Sequence, residues 1–312
     1  MSSYTLKKQS PETLKKMATF YKDYIQKKVP QHALFQAKYQ GVTITAYKTG
    51  SVLFQGNQAE TEAARWTSLP TTATPKKTST ASPQTSATLP RDFSHWSVIG
   101  SDEVGNGSYF GPLVVCAAYV SREQLAAVKA LGVKDSKLLK DSDIQRIASK
   151  IQDHIPHQLL IVSPSKYNDI QPTYNATHMK VALHNQAIRL LSEKIAPTKP
   201  EGILIDQFTS EKNYRKYLAS EAQPVTENLY FQTKGEGAHL AVAAASILCR
   251  NAFLVSLEQA SQELGYTIPS GAGHASDTVA ARLLKQGGMP LLRQHAKLHF
   301  ANTQKALKLA QR

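Results

Sequence analysis

The stretch Trp96–Val120, WSVIGSDEVGNGSYFGPLVVCAAYV, sets two carboxylates, Asp102 and Glu103, where an apolar run meets the glycines Gly105 and Gly107. Ionised acids beside a core are costly unless something cationic shares the place. The runs on either side read as strands at 96–103 and 111–120. Further strands are expected at 157–162, 202–206 and 225–232, and helices at 122–130, 140–153, 175–195, 210–219, 238–264, 276–286 and 301–311. Such alternation defines an α/β fold with a mixed sheet. The segment HLAVAAASILCRNAFLVSL within 238–264 is apolar nearly all round, so it is expected as a central buried helix.

Two more acids close predicted elements. Asp206 ends GILIDQF, and Glu236 lies in TKGEGAHLAVAAAS ahead of the buried helix. In open α/β sheets ligands gather beyond the strand ends, so these acids can converge there. Hard oxygen donors without neighbouring His or Cys select Mg²⁺ or Mn²⁺ over zinc. A pair of such ions roughly 4 Å apart can hold the attacking water and the leaving oxygen of a phosphoryl displacement. Adjacent side chains in a regular strand point to opposite faces. Asp102 and Glu103 therefore serve one site only if the strand bends or ends there, which the two glycines permit.

Before this region, the composition from Pro70 to Pro90 is Thr, Ser, Ala and Pro with few large apolar residues, the signature of a flexible linker. Residues 10–29 carry apolar side chains at helical spacing above a Lys-rich face, and ALFQAKYQGVTITAYKTGSVLFQGN reads as three short strands. A helix on a small antiparallel sheet leaves the second face free. Lys38, Tyr39, Tyr47 and Lys48 mix cation and aromatic there, the chemistry of backbone and sugar contact. VLFQG at 52–56 and ENLYFQ at 227–232 look like protease recognition tags, but both sit in strand patterns and are read as strand.

The chain has 312 residues, 41% of them hydrophobic, and a net charge of +14. Residues 1–90 hold twelve basic and four acidic side chains, a net +8. So uneven an excess indicates a polyanionic partner, nucleic acid ahead of an anionic membrane. No apolar run is expected to span a bilayer, and the N-terminal residues lack the apolar core of a secretory signal. Cys116 and Cys249 read as small buried residues, which favours a cytoplasmic setting.

The stretches GSDEVGNGSYFGPLVV, KDSK, LIDQF, TKGEGAHLAVAAASILCR, IPSGAG and AKLHFANT, in this order, resemble bacterial ribonuclease HIII, a type 2 ribonuclease H. YQGVTITAYKTGSVLFQG is similar to that family's N-terminal domain, which has a TATA-box-binding-protein-like fold. The resemblance implies three parts: a substrate-binding domain at 1–69, a linker at 70–92, and a ribonuclease H-like mixed-sheet domain at 93–312. It also implies an endonuclease that cuts the RNA strand of RNA/DNA hybrids with Mg²⁺ or Mn²⁺, leaving 5′-phosphate and 3′-hydroxyl ends. Asp102, Glu103, Asp206 and Glu236 match its catalytic, metal-holding acids, with Asp102 bridging both ions. Gly105, Asn106 and Gly107 match the loop whose backbone reads the 2′-hydroxyl, the group that separates RNA from DNA. Asp135-Ser136-Lys137 matches a further motif near the site, and Lys137 there is expected to contact phosphate rather than serve as a solvated lysine of a helix-start turn. Asn106 and Glu236 stand where ribonuclease HII typically has Arg and Asp. His184 and His299 are expected as packed histidines rather than proton carriers. A monomer with no protein or membrane partner is expected. Two other readings remain open: cleavage at single embedded ribonucleotides, as by ribonuclease HII, and nucleic-acid binding without chemistry.

Overall fold

The structure is a computed structural model. It describes residues 3–6, 9–26, 29–30, 32–56, 58–66, 89–134 and 139–311. The chain divides into two compact units, Met1–Ala81 and Ser82–Arg312. Most of the expected linker, and with it Lys137, lies outside the described residues.

In the first unit a four-stranded antiparallel sheet runs in the order β1-β4-β3-β2, with β1 at Ser3–Leu6, β2 at Ala33–Tyr39, β3 at Val42–Tyr47 and β4 at Val52–Gln55. Strand β1 is additional to the three strands expected. The helical signal over 10–29 yields only α1, Pro11–Phe20, followed by a short 3₁₀ turn. Ser10 caps α1 by accepting a hydrogen bond from the Thr13 amide, and Pro11 occupies the first turn, where its missing N–H costs nothing. Phe35, Ala37, Val42, Ile44, Ala46, Val52 and Phe54 point to one face. There they meet Leu14 and Met17 of α1 and Ala59 and Ala63 of α2, Ala59–Ala64. Helix α2 fuses to α1 through a buried network: Tyr21 donates to Glu62 at 2.6 Å, and the Trp66 indole donates to the Tyr21 hydroxyl at 2.7 Å.

In the second unit a five-stranded mixed sheet has the order β7-β6-β5-β8-β9. Its strands are β5 (Val98–Val104), β6 (Leu113–Val120), β7 (His157–Val162), β8 (Gly202–Asp206) and β9 (Leu229–Gln232). Strands β5 and β8 are parallel neighbours, whereas β6 runs antiparallel to β5. The tag-like stretch at 52–56 pairs as β4, and that at 227–232 pairs as β9 from Leu229 on, with Glu227-Asn228 in the turn before it, so the strand expected at 225–232 begins four residues late.

Helices between and after the strands are α3 (Leu125–Ala130), α4 (Asp141–Ile151), α5 (Pro164–Ile170), α6 (Ala176–Lys194), α7 (Glu211–Leu218), α8 (Leu240–Leu264), α9 (His274–His295) and α10 (Ala301–Ala310). Helix α5 was not foreseen. Helix α9 runs nine residues past its expected end: Gly288 leaves helical geometry at φ 65°, and a second helical piece containing Pro290 follows across the kink.

Helix α8 lies on one sheet face and shares a core with Val98, Val114, Cys116 and Leu204, while α6 and α7 cover the other over Ile99, Val115, Ile203 and Ile205. By length and hydropathy α8 could cross a bilayer, against expectation, but 61% of its apolar window is buried inside this core. Gly100 allows the close approach of α8: a Cβ there would stand 2.2 Å from the Val242 amide nitrogen.

Candidate active site

Strand register places the acids. Gly100 pairs with Leu204 and Ser101 with Ile205 across the parallel β5–β8 ladder, so Asp102 and Asp206 follow side by side. Alternation turns both toward the face that carries Leu204 and α8. Asp102 is 7% exposed. Burial, then the nearby charges of Glu103 and Asp206, push its carboxyl up to about 8, only partly offset by hydrogen bonds from Ser246 and the Glu103 amide. Asp206 accepts the Gly235 amide at 2.8 Å, which ties the turn Gly235–Gly237 to the end of β8.

Glu103 points the other way. Strand β5 continues through Val104, paired with Val114, instead of ending at the acids as expected. The glycines follow the strand and do not bend it at Asp102. The Glu103 carboxylate is gripped on the α6 face by Lys180 at 2.8 Å and His184 at 3.1 Å. Burial would raise its pKa, but the His184 hydrogen bond and the charges of His184 and Lys180 hold it below the ordinary carboxylate value. The clamp is itself buttressed. Ser101 meets the His184 Nδ1 at 2.7 Å, and Phe208 stacks on the His184 ring with Lys180 Nζ 3.9 Å from its centroid. His184 is thus packed, with a defined hydrogen-bonding task, and His299 stacks on Tyr167. The Lys180 role was missed because 77 residues separate it from Glu103 and nothing local marks it.

Glu236 sits in the turn anchored to Asp206, and its side chain is 6% exposed. It lines a pocket with Ser94, His95, Lys129 and His239 that does not include the other three acids. Among the described residues no three His, Cys, Asp or Glu side chains stand close enough to cage an ion as placed. The donor set nevertheless fits a divalent cation. Asp102 and Asp206 are hard oxygen donors on one face, and their mutual repulsion is what such an ion relieves.

Beyond the acids, Gly105 is at φ 95°, and a Cβ there would come 2.1 Å from the Pro112 carbonyl oxygen, so only glycine fits. Among the described residues Gly107 has nothing within 4 Å of where a Cβ would stand, and Asn106 is exposed. No internal packing reason requires glycine at 107.

In the first unit Lys38, Tyr47 and Lys48 project away from the helices or from the turn after β3. Tyr39 corrects the expectation. It alternates with Phe35 and Ala37 onto the helix side and packs edge-on against Phe20, Tyr21 and Tyr24.

Two outcomes follow from this geometry. In metal-free protein the raised Asp102 pKa means that the folded form holds a proton that the unfolded form has lost. The stability it confers is fully present below pH ~4 and is lost as pH rises toward about 8. Urea melts in EDTA should show a loss of a few kcal/mol over that window. Lys180→Met strands a buried carboxylate and should cost about 3 kcal/mol, most of it regained in the double variant with Glu103→Gln. Urea melts of both variants check this.

Fold and acids together describe a metal-dependent nuclease of the ribonuclease H class. A family model described as ribonuclease HII matches residues 99–303, and one described as a domain of unknown function matches residues 5–79. Ribonuclease HIII of Enterococcus faecalis is 61% identical over 97% of both chains, and that of Leuconostoc mesenteroides is 48% identical over 96% of this chain and 97% of the other. The crystal structure of Bst-RNase HIII in complex with Mn²⁺ aligns over 99% of both chains with a TM-score of 0.70 and 42% identity. The chain belongs to the ribonuclease HIII family.

Proposed function

We propose that this chain is an endoribonuclease that hydrolyses the RNA strand of RNA/DNA hybrids, using two Mg²⁺ or Mn²⁺ ions and leaving 5′-phosphate and 3′-hydroxyl ends. The observation that carries it is the Asp102–Asp206 pair on one face of adjacent parallel strands, with Asp102 pushed up to about 8 by burial first and then by the charges of Glu103 and Asp206. Asp102 and Asp206 would hold the metal, with Glu236 reaching it from the turn bonded to Asp206; Glu103, held on the opposite face by Lys180 and His184, would join them only by leaving that clamp. When bound, divalent ions activate water and neutralise charge on the scissile phosphate.

The remaining work falls to the chain's own residues. Lys180 and His184 keep Glu103 ionised and oriented. The backbone of Gly105, Asn106 and Gly107 approaches the ribose, with Gly107 leaving room for it. Lys137 contacts phosphate.

The N-terminal domain, residues 1–69, binds substrate through Lys38, Tyr47 and Lys48, with residues 70–92 as tether, and Tyr39 supports that surface from beneath. Lys38→Ala and Lys48→Ala should each raise KM several-fold, leave kcat unchanged and make the log KM–log salt slope shallower by about one. Salt titrations of steady-state cleavage check this. The enzyme acts as a cytoplasmic monomer, where buried Cys116 and Cys249 stay reduced.

Cleavage of an end-labelled RNA/DNA hybrid, beside a duplex holding one ribonucleotide, tests the reading. Metal-dependent cuts along the hybrid support it. Cuts confined to the single ribonucleotide would favour ribonuclease HII-like action, and no cleavage of either would leave binding alone.

A further inference from the structure

The sharpest unexplained feature of the second unit is Lys297, a lysine with no solvent exposure. Burying an ammonium is costly unless its donors are used. Its Nζ donates to the Gly111 carbonyl, and its ring neighbour is Tyr167, 5.9 Å away. Burial lowers its pKa to about 7, and the amine donates to a carbonyl in either protonation state.

That hydrogen bond is one of a set. The Lys297 amide donates to the Tyr109 carbonyl at 2.9 Å, the Gly111 amide donates to the His295 carbonyl at 3.1 Å, and Phe110 bridges Ala296. The Tyr109 amide donates to Gly271, and its hydroxyl meets Thr303 Oγ1 at 2.9 Å. Ser108 Oγ accepts the Gly271 amide at 2.9 Å while donating to the Phe110 carbonyl. Segments from residues 271, 295–297 and 303 therefore grip 108–111 on several sides.

The grip passes on to the glycine turn. Gly105 packs against the Pro112 carbonyl, next in chain to Gly111, and both Gly105 and Gly111 lie on the Phe253 ring of α8. The Ser108 amide also closes the turn by donating to the Gly105 carbonyl at 3.1 Å. Gly111 and the Gly105 turn therefore share their packing partners.

We infer that Lys297 is a positioning residue for ribose recognition: by holding the Gly111 carbonyl it fixes where the Gly105–Gly107 backbone meets the 2′-hydroxyl. The inference rests on the proposed reading of that turn as the ribose contact. Lys297 touches neither substrate nor the acids, so its loss should change discrimination at the sugar and leave metal binding alone.

The test compares hybrids carrying ribose or 2′-fluororibose beside the cleaved bond, with wild type and Lys297→Met, alongside calorimetric Mn²⁺ affinity. Wild type should lose kcat/KM on the fluoro substrate. Lys297→Met should lose about tenfold on the ribose substrate, lose little more on the fluoro one, and bind Mn²⁺ within twofold of wild type. Thr303→Val, which removes the partner of the Tyr109 hydroxyl, should show the same shrunken fluoro penalty and carries the test if Lys297→Met does not fold. A fluoro penalty unchanged in both variants, or a parallel fall in Mn²⁺ affinity, would overturn the inference. No fluoro penalty in wild type would instead remove the ribose reading of the turn, and the inference with it.

Discussion

Asp102→Asn should abolish hybrid cleavage while leaving a protein at least as stable as wild type. The amide keeps the shape of the carboxylate and its place beside Ser246 and the Glu103 amide. It removes the negative charge that Asp206 and a divalent ion would share. Metal-ion stabilisation of a phosphoryl transition state is worth several kcal/mol, so turnover should fall by at least ~10³-fold. Stability should move the other way. At pH 8 and above, wild-type metal-free protein carries the cost of an ionised, buried Asp102, and the variant does not. Urea melts in EDTA at pH 6 and pH 8.5 should therefore differ less for Asp102→Asn than for wild type. A variant that loses activity and stability together at both pH values would make Asp102 a structural residue.

The second large effect separates two glycines of one turn. Gly105→Ala places a Cβ 2.1 Å from the Pro112 carbonyl oxygen in a backbone conformation, φ 95°, that L side chains rarely adopt. Backbone has to shift, and the expected loss is about 3 kcal/mol or more, with activity falling alongside. Gly107→Ala meets nothing within 4 Å. It should leave the melting temperature within a degree or two and still reduce kcat/KM on the hybrid about tenfold or more, because the methyl occupies space proposed for the ribose. Thermal melts and steady-state kinetics on both variants separate a packing role from a recognition role. Full activity in Gly107→Ala would take that turn out of substrate recognition.

How much of this was legible in the sequence depends on how local the cause is. Strands β5, β6, β7 and β8 follow from apolar runs bounded by glycines and polar turns, and α8 from its near-continuous apolar surface. Strand β1 escaped notice because the alternation of Ser-Tyr-Thr-Leu runs for only four residues, and it is held by pairing with β4, some fifty residues away. Helix α5 is seven residues long, too short for periodicity to register, and its Ser163-Pro164 start was the only cue. Helix α9 outruns its expected end because Gly287-Gly288 and Pro290 only kink it, and the piece beyond the kink packs Leu292 into the core.

At the site, the pairing of Asp102 with Asp206 is a matter of strand register, and it was reachable once β5 and β8 were taken as neighbours. The division of labour between Asp102 and Glu103 was not. It depends on β5 running on past the acids and on Lys180, His184 and Phe208 arriving from α6 and the loop after β8. Tyr39 was misplaced for a similar reason: alternation along β2, set by Phe35 and Ala37, decides its face, and the cation–aromatic mixture of the segment does not.

The central claim is that Asp102 and Asp206 form a cation site in which burial, helped by the neighbouring charges of Glu103 and Asp206, keeps Asp102 protonated until metal arrives. Calorimetric titration of Mn²⁺ into metal-free protein at pH 7, repeated in buffers of different ionisation enthalpy, tests it directly. The prediction is tight binding with release of about one proton, since a carboxyl with a pKa of about 8 is mostly protonated at that pH. Mn²⁺ binding that releases no proton, or that survives undiminished in Asp102→Asn, would contradict it.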